Sequence, residues 1–418
     1  MEESSNTRRP HFGNSALLAL PTDVGGYIWD HIADKSTYAS LSLTSKALSP
    51  ISQRHLFSSL HLQPYSPYSK SRRTRKQQVR AFKSRLTGIA GNHRILSYVE
   101  KLWVFGEENE VGDSDSDFDG PPPDEFDFPP SLQEILACCL VRMSYLGYLG
   151  ISGFLLASTL VDAVLTLTER QPLRLILNKI DLQSSRALIK YGKLTELEAD
   201  NCLDLCDTTI LEKLAAASRE SMTSLSLCLN YADIIDPLLS FTYPRLTKLS
   251  LAHLICDLES LIPSITAFVE LHPFINHLEL PEDLSFVFSP DAVPDLKQVH
   301  ACASTVLHLV PSRPVVSVTI YNGVAKGPIL SLNALAKASG EGITTLDLRL
   351  EGYTGQWRDL IGQIIFHTPR LTCLTIGLGN SVVCSPNRTN FVSLRPLHSL
   401  QISSRDLQLS MNFQFSKS

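Results

Sequence analysis

Residues 222–251 read MTSLSLCLNYADIIDPLLSFTYPRLTKLSL, a segment that opens and closes on one six-residue phrase: apolar, two others, apolar, one other, apolar. The phrase recurs as LGYLGI from 146, LTELEA from 194, INHLEL from 275, LKQVHA from 296 and VVSVTI from 315. Further copies are ITTLDL from 343, LTCLTI from 371 and LHSLQI from 397, with a looser LRLILN from 173 and an isolated YVEKLWV near Val99. From Leu146 onward, successive starts are 19 to 29 residues apart, which is the signal of stacked structural repeats. Within the phrase the third and fifth places are polar, so apolar and polar residues alternate as in a strand with one buried and one wet face. Between phrases, DTTILEKLAAASRES (207–221), DLESLIPSITAFVELHP (257–273) and GQWRDLIGQIIFHTP (355–369) place apolar residues every three to four positions, a helical stripe facing the strands. The expected fold is α/β: a parallel sheet curved into a solenoid by helices on its outer side. An ordinary α/β domain with leucine-rich strands is the alternative.

The phrase resembles that of the leucine-rich-repeat family, LxxLxLxxN/CxL. Its ninth place matches at Cys202 and Asn230, whereas Leu254, Asp283, Glu351 and Gly379 depart from it, so the resemblance implies an irregular member.

Working back toward the N-terminus, Val24, Ile28 and Ile32 are spaced by four behind Pro21, with Thr22 and Asp23 placed to cap a helix. Ser36 opens a second helical run containing Leu41, Leu43 and Leu48, and a third after Pro50 carries Ile51, Leu56 and Phe57. Three short helices bury little, so such a module leaves apolar surface for a partner. The text LPTDV…YIWDHI, followed by YASLSLTSKALSP and HLF, resembles an F-box over residues 17–62. It departs from that pattern in Gly25-Gly26 within the first helix and in lacking the late tryptophan of the second. A helical cap on the repeat region is the other reading of this module.

An F-box joined to leucine-rich repeats implies a substrate-recognition subunit of a cullin–RING ubiquitin ligase. By that resemblance Leu20, Pro21, Val24, Ile28, Ile32, Leu41, Leu43 and Leu48 contact the ligase adaptor. The repeats would hold an unknown target protein on the wet, concave strand face, where Glu198, Lys248, His277, Glu279, His300 and Asp347 stand. A repeat scaffold or inhibitor that never joins a ligase is the rival function. Neither role requires a catalytic residue, a cofactor or a metal.

Composition agrees with a binding protein. Of 418 residues, 44% are hydrophobic and 19% charged, and 37 basic against 42 acidic residues give a net charge of −5, which argues against nucleic acid as the partner of the whole surface. Nine cysteines without a CxxC pair read as reduced, buried thiols of a cytosolic or nuclear protein, and the polar start MEESSNTRRP does not indicate secretion. The charge-free run 143–161 is long enough for a membrane span, but its glycines and hydroxyls favour a buried strand followed by a buried helix. KSRRTRKQQVRAFKSR (70–85) reads as a nuclear signal, a nucleic-acid patch or the solvated face of a helix. The acidic, proline-bearing run 106–128 reads as a disordered insertion; its EF-hand-like start fails at Phe126, where a bidentate glutamate is needed. Cys202 and Cys206 lack the partners of a zinc site, and no GxGxxG, GxSxG or HExxH occurs. The expected organisation is a polar tail (1–16), the helical module (17–62), a basic linker or helix (63–97), the repeats (98–403) with an acidic insertion (107–130), and a tail (404–418).

Overall fold

A computed structural model describes residues 29, 31–32, 34–44, 46, 48–64, 75–106, 128–182, 190–200, 208–228, 232–252, 259–321, 328–350, 357–378, 399–404 and 408–412. The chain divides into two compact units, residues 1–150 and 151–418.

In the first unit, helix α1 (Lys35–Thr44) starts at Asp34, whose carboxylate accepts the Ser36 amide at 3.0 Å and the Thr37 hydroxyl at 3.2 Å. The Ser36 hydroxyl also donates to it and, ahead of the Ser36 amide, holds the carboxyl below the usual carboxylate range. The side chain thus caps the helix, satisfying amides that lack a partner within the first turn. Helix α2 (Ser49–Phe57) begins with Pro50 in its first turn, where the missing amide costs nothing. Trp29, Tyr38 and Leu48 are buried together, with Ile32, Leu41, Ile51 and Leu56 packed around them. The Tyr38 hydroxyl donates to the Trp29 carbonyl, and its ring stacks on His55 at a centroid distance of 5.2 Å.

The sheet begins sooner than position 98. Strand β1 (Ser59–Leu62) follows α2 directly and pairs in parallel with β2 (Lys101–Phe105). The intervening basic segment forms helices α3 (Arg75–Ala90) and α4 (His93–Leu96) of a strand–helix–strand crossover, not a linker. Phe82 and Leu86, four apart, are buried while Arg80, Lys83 and Arg85 are exposed, the solvated-face reading of that run. Helix α5 (Pro130–Arg142) follows, and strand β3 (Tyr148–Ser152) crosses the boundary between units.

The second unit repeats strand and helix. Strand β4 (Leu155–Leu156) pairs with β6 (Asp181–Leu182) in a small two-stranded sheet, with helix α6 (Ser158–Arg170) and strand β5 (Leu173–Asn178) between them. The charge-free run 143–161 is therefore strand then helix start, and among the described residues no helix is long and apolar enough to cross a membrane. Next come β7 (Leu194–Asp200), α7 (Thr208–Ser218), β8 (Ser224–Cys228), α8 (Ala232–Leu239) and β9 (Lys248–Ser250). They are followed by α9 (Ile262–Leu271), β10 (His277–Glu279), β11 (Gln298–Cys302), α10 (Ala303–Leu309) and β12 (Ser317–Tyr321). The last elements are α11 (Pro328–Leu335), β13 (Thr345–Leu350), α12 (Trp357–His367), β14 (Cys373–Leu378), β15 (Ser399–Ser404) and β16 (Gln408–Asn412). From β5 through β15 (β6 excepted) each strand pairs in parallel with the next, and β16 joins β15 antiparallel.

Register follows the phrase. Its fourth place forms a continuous row, Leu197, Leu225, Leu249, Leu278, Val299, Val318, Leu346 and Leu374, paired strand to strand. All are at most 1% exposed, and each such side chain contributes about 1.5–3 kcal/mol by leaving water. Ile265, Phe268, Val306, Leu309 and Ile364 from the helices are buried on the same core. LRLILN breaks the phase: Leu175, not Ile176, pairs with Leu197, with a register irregularity between Leu173 and Arg174. Arg174 and Ile176 consequently occupy polar-face positions.

A threonine ladder runs along the phrase's second place. Thr223 Oγ1 donates to the Thr195 carbonyl at 2.9 Å, Thr247 to Thr223 at 3.1 Å, and Thr372 to Thr344 at 3.0 Å. The Thr223 and Thr372 amides reach the same carbonyls at 2.8 Å each, so side chain and backbone both secure the strand entries. The ninth-place positions of the two family-like matches, Cys202 and Asn230, lie outside the described residues. Of the five described cysteines only Cys139 and Cys302 are buried; Cys138 is exposed, against the expectation of uniformly buried thiols.

Candidate functional site

Because successive strand residues alternate sides, the third and fifth places of each phrase share the face opposite the leucine row. Pairing brings them into two registered rows. The third-place row runs Arg174, Glu196, Ser224, Lys248, His277, Gln298, Ser317, Thr345, Cys373. The fifth-place row runs Ile176, Glu198, Ser226, Ser250, Glu279, His300, Thr319, Asp347, Thr375. All six residues expected on the wet face, Glu198, Lys248, His277, Glu279, His300 and Asp347, lie in these rows.

The charges are organised locally. Arg174 Nε is 3.1 Å from Glu196, and its Nη2 is 3.6 Å from Glu198, a one-to-two clamp across β5 and β7. Beside it, Arg174, Glu196, Glu198, Ser226, Lys248 and Glu279 line most of a hollow of about 140 Å³ on the polar face. Next, Glu279 accepts from the Ser250 hydroxyl at 2.7 Å and from the Tyr321 hydroxyl at 3.4 Å, and meets His300 Nδ1 at 3.4 Å. The hydrogen bond to His300, with Ser250 assisting against partial burial, holds the Glu279 carboxyl at about 2. Burial, then the Lys248 charge, depresses His277, whose Nδ1 contacts Gln298 Oε1. Burial raises Asp347 above the ordinary aspartate value, offset by Arg349 at 3.7 Å. Burial, then Glu279, pushes the Tyr321 hydroxyl up to about 12, and the Arg349 guanidinium lies 4.8 Å from its ring centre.

Glu279 is not an indifferent wet residue: its side chain is 21% exposed and tied to three strands. Tyr321 and Arg349, whose alternation brings them to the same face, were not foreseen, because the phrase ends before them. His272 is the contrasting case of a structural histidine, 2% exposed, its Nδ1 donating to the Phe268 carbonyl and its Nε2 accepting the Tyr243 amide.

Among the residues expected to meet an adaptor, Leu20, Pro21, Val24 and Ile28 lie outside the described residues. Ile32, Leu41 and Leu48 belong to the Trp29–Tyr38 cluster, so their first role is packing. Leu43 is separate from it and 87% exposed, an apolar side chain left in water on α1. Trp29 and Tyr38, the centre of this cluster, were passed over because neither falls on the four-residue spacing. Compared with known proteins, the chain matches no protein-family model and no curated sequence.

Proposed function

We propose that the chain is a target receptor of a cullin–RING ubiquitin ligase, its N-terminal helices docking the adaptor and its polar strand face holding the protein to be modified. The observation that carries the binding role is the paired double row of polar side chains along the repeat strands. The leucine row opposite already supplies the core, so these residues are spared for recognition, and a parallel repeat sheet offers them as an extended surface. The docking role is supported by the exposure of Leu43 beside a packed helical cluster, together with the resemblance of residues 17–62 to an F-box.

Co-purification of the full chain with the ligase adaptor tests the reading. Leu43→Glu should abolish capture while leaving far-ultraviolet circular dichroism unchanged, because the side chain contributes nothing to the core. A wild-type chain that never retains the adaptor defeats the receptor function and leaves a ligase-independent binding scaffold.

A further inference from the structure

We propose that His277, Glu279 and His300 form a binding site for a divalent late transition-metal ion, zinc being the natural probe. One ligand atom from each residue lies within 4.8 Å of the other two. The convergence follows from the topology. His277 and Glu279 are two apart on β10 and share a face, and the parallel ladder sets His300 of β11 directly beside Glu279. Two atoms bound to one tetrahedral zinc at about 2.0–2.2 Å stand about 3.3 Å apart. His300 Nδ1 and Glu279 Oε1 are 3.4 Å apart and the His277 ligand atom lies within 4.8 Å of both, so a metal ion would replace the proton shared by His300 and Glu279 and draw the three donors together.

Donor chemistry selects the ion. Two imidazoles and one carboxylate suit zinc and its neighbours, whereas magnesium and calcium take oxygen sets. Supporting contacts are in place: Ser250 and Tyr321 donate to the Glu279 carboxylate, and Gln298 Oε1 meets His277 Nδ1. Outer partners of this kind orient ligands and raise their basicity. With Nδ1 donating to Gln298, Nε2 is the His277 nitrogen that keeps a lone pair for a metal. The Lys248 ammonium, in register with His277, is the one charge on the neighbouring strand that opposes a cation there. Three protein ligands leave a fourth position for water or for a side chain of a bound partner. The site does not depend on membership of a ligase.

The test uses the full chain, stripped with a chelator and titrated with zinc by calorimetry and with cobalt by visible absorption. One equivalent should bind, with weak cobalt d–d bands and no intense thiolate charge-transfer band. Affinity should fall at least about tenfold in His277→Ala and in His300→Ala, by the scale on which even outer partners count. Lys248→Ala, which removes a repelling charge, should bind at least as well as wild type. Absence of saturable binding, a thiolate band, or unchanged affinity in either histidine variant overturns the proposal. Should those variants not fold, wild-type protein decides: zinc must protect His277 and His300 from diethyl pyrocarbonate, read by mass spectrometry, and modification of both at an unchanged rate refutes the site.

Discussion

Replacing Glu279 with glutamine removes one charge at nearly constant volume, and the amide oxygen can still accept the Ser250 hydroxyl. What is lost is the ionic part of the network. The Glu279 carboxyl lies at about 2 in the folded chain against an ordinary 4.5, chiefly because His300 bonds to its ionised form. That depression corresponds to about 3 kcal/mol favouring the folded state at neutral pH. With 21% of the side chain still in water, screening brings the expectation to about 1.5–3 kcal/mol.

The sign follows from the direction of the shift. A depressed carboxyl stabilises fully above its unfolded value of 4.5, and the contribution is lost as pH falls through the folded value of about 2. Glu279→Gln lacks this contribution at every pH, so the gap to wild type should be widest near neutrality. At about pH 3.5 it should have shrunk by about two-fifths. Urea denaturation of the full chain in chelator, followed by far-ultraviolet circular dichroism, measures the gap, and amide exchange should place the loss on β9–β11. A gap that stays constant between neutrality and acid, or a variant as stable as wild type at neutrality, refutes an ionic role for Glu279.

Two further changes probe packing rather than charge. A β-carbon at Gly150 would lie 2.1 Å from Trp103 Cε3 and 2.4 Å from Cζ3, so Gly150→Ala must displace that ring and should cost about 1–3 kcal/mol, visible as a shift in tryptophan emission and a lower urea midpoint. Arg313 is 3% exposed and donates to the Ser289, Pro290, Ala292, His308, Leu309 and Pro311 carbonyls. Arg313→Met should cost about 3 kcal/mol or more by orphaning them, and Arg313→Lys, with fewer donors, should recover only part of the loss in the same denaturation assay.

The leucine row was legible because one rule, alternation, fixes both strand identity and buried face. LRLILN shows where the rule weakens. Leu173, Leu175, Ile176 and Leu177 supply apolar residues in either phase, so composition cannot choose. The chosen phase instead pairs Arg174 with Glu196 and Glu198 on the next strand, a contact no single-strand pattern contains. Strand β1 was missed for another reason: four residues behind a helix are too short to show a period, and only pairing with β2 defines them. The threonines at 195, 223, 247, 344 and 372 were in plain view, yet their meaning depends on a carbonyl one repeat away. At the candidate site the outward direction of His277, Glu279 and His300 was readable. Their convergence was not, since it needs the register that sets residues 21 positions apart side by side.

The polar face is not uniform, and its unevenness bears on what it can recognise. From β5 to β11 the two rows carry Arg174, Glu196, Glu198, Lys248, His277, Glu279 and His300, together with the hollow. From β12 to β14 they carry Ser317, Thr319, Thr345, Thr375 and Cys373, with Asp347 the one acidic group. Charges on neighbouring strands stand about 4.8 Å apart, close enough for like signs to destabilise the pair. Here Arg174 sits against two carboxylates, and Glu279 is held by a histidine and two hydroxyls. Side chains pinned in this way lose little further freedom when a partner arrives, so binding there costs less ordering than on a surface of loose lysines. Under the proposed receptor role, recognition by charge falls to the β5–β11 stretch and to the Asp347–Arg349 pair of β13, while the rest of β12–β14 offers mainly hydroxyls that discriminate among few partners.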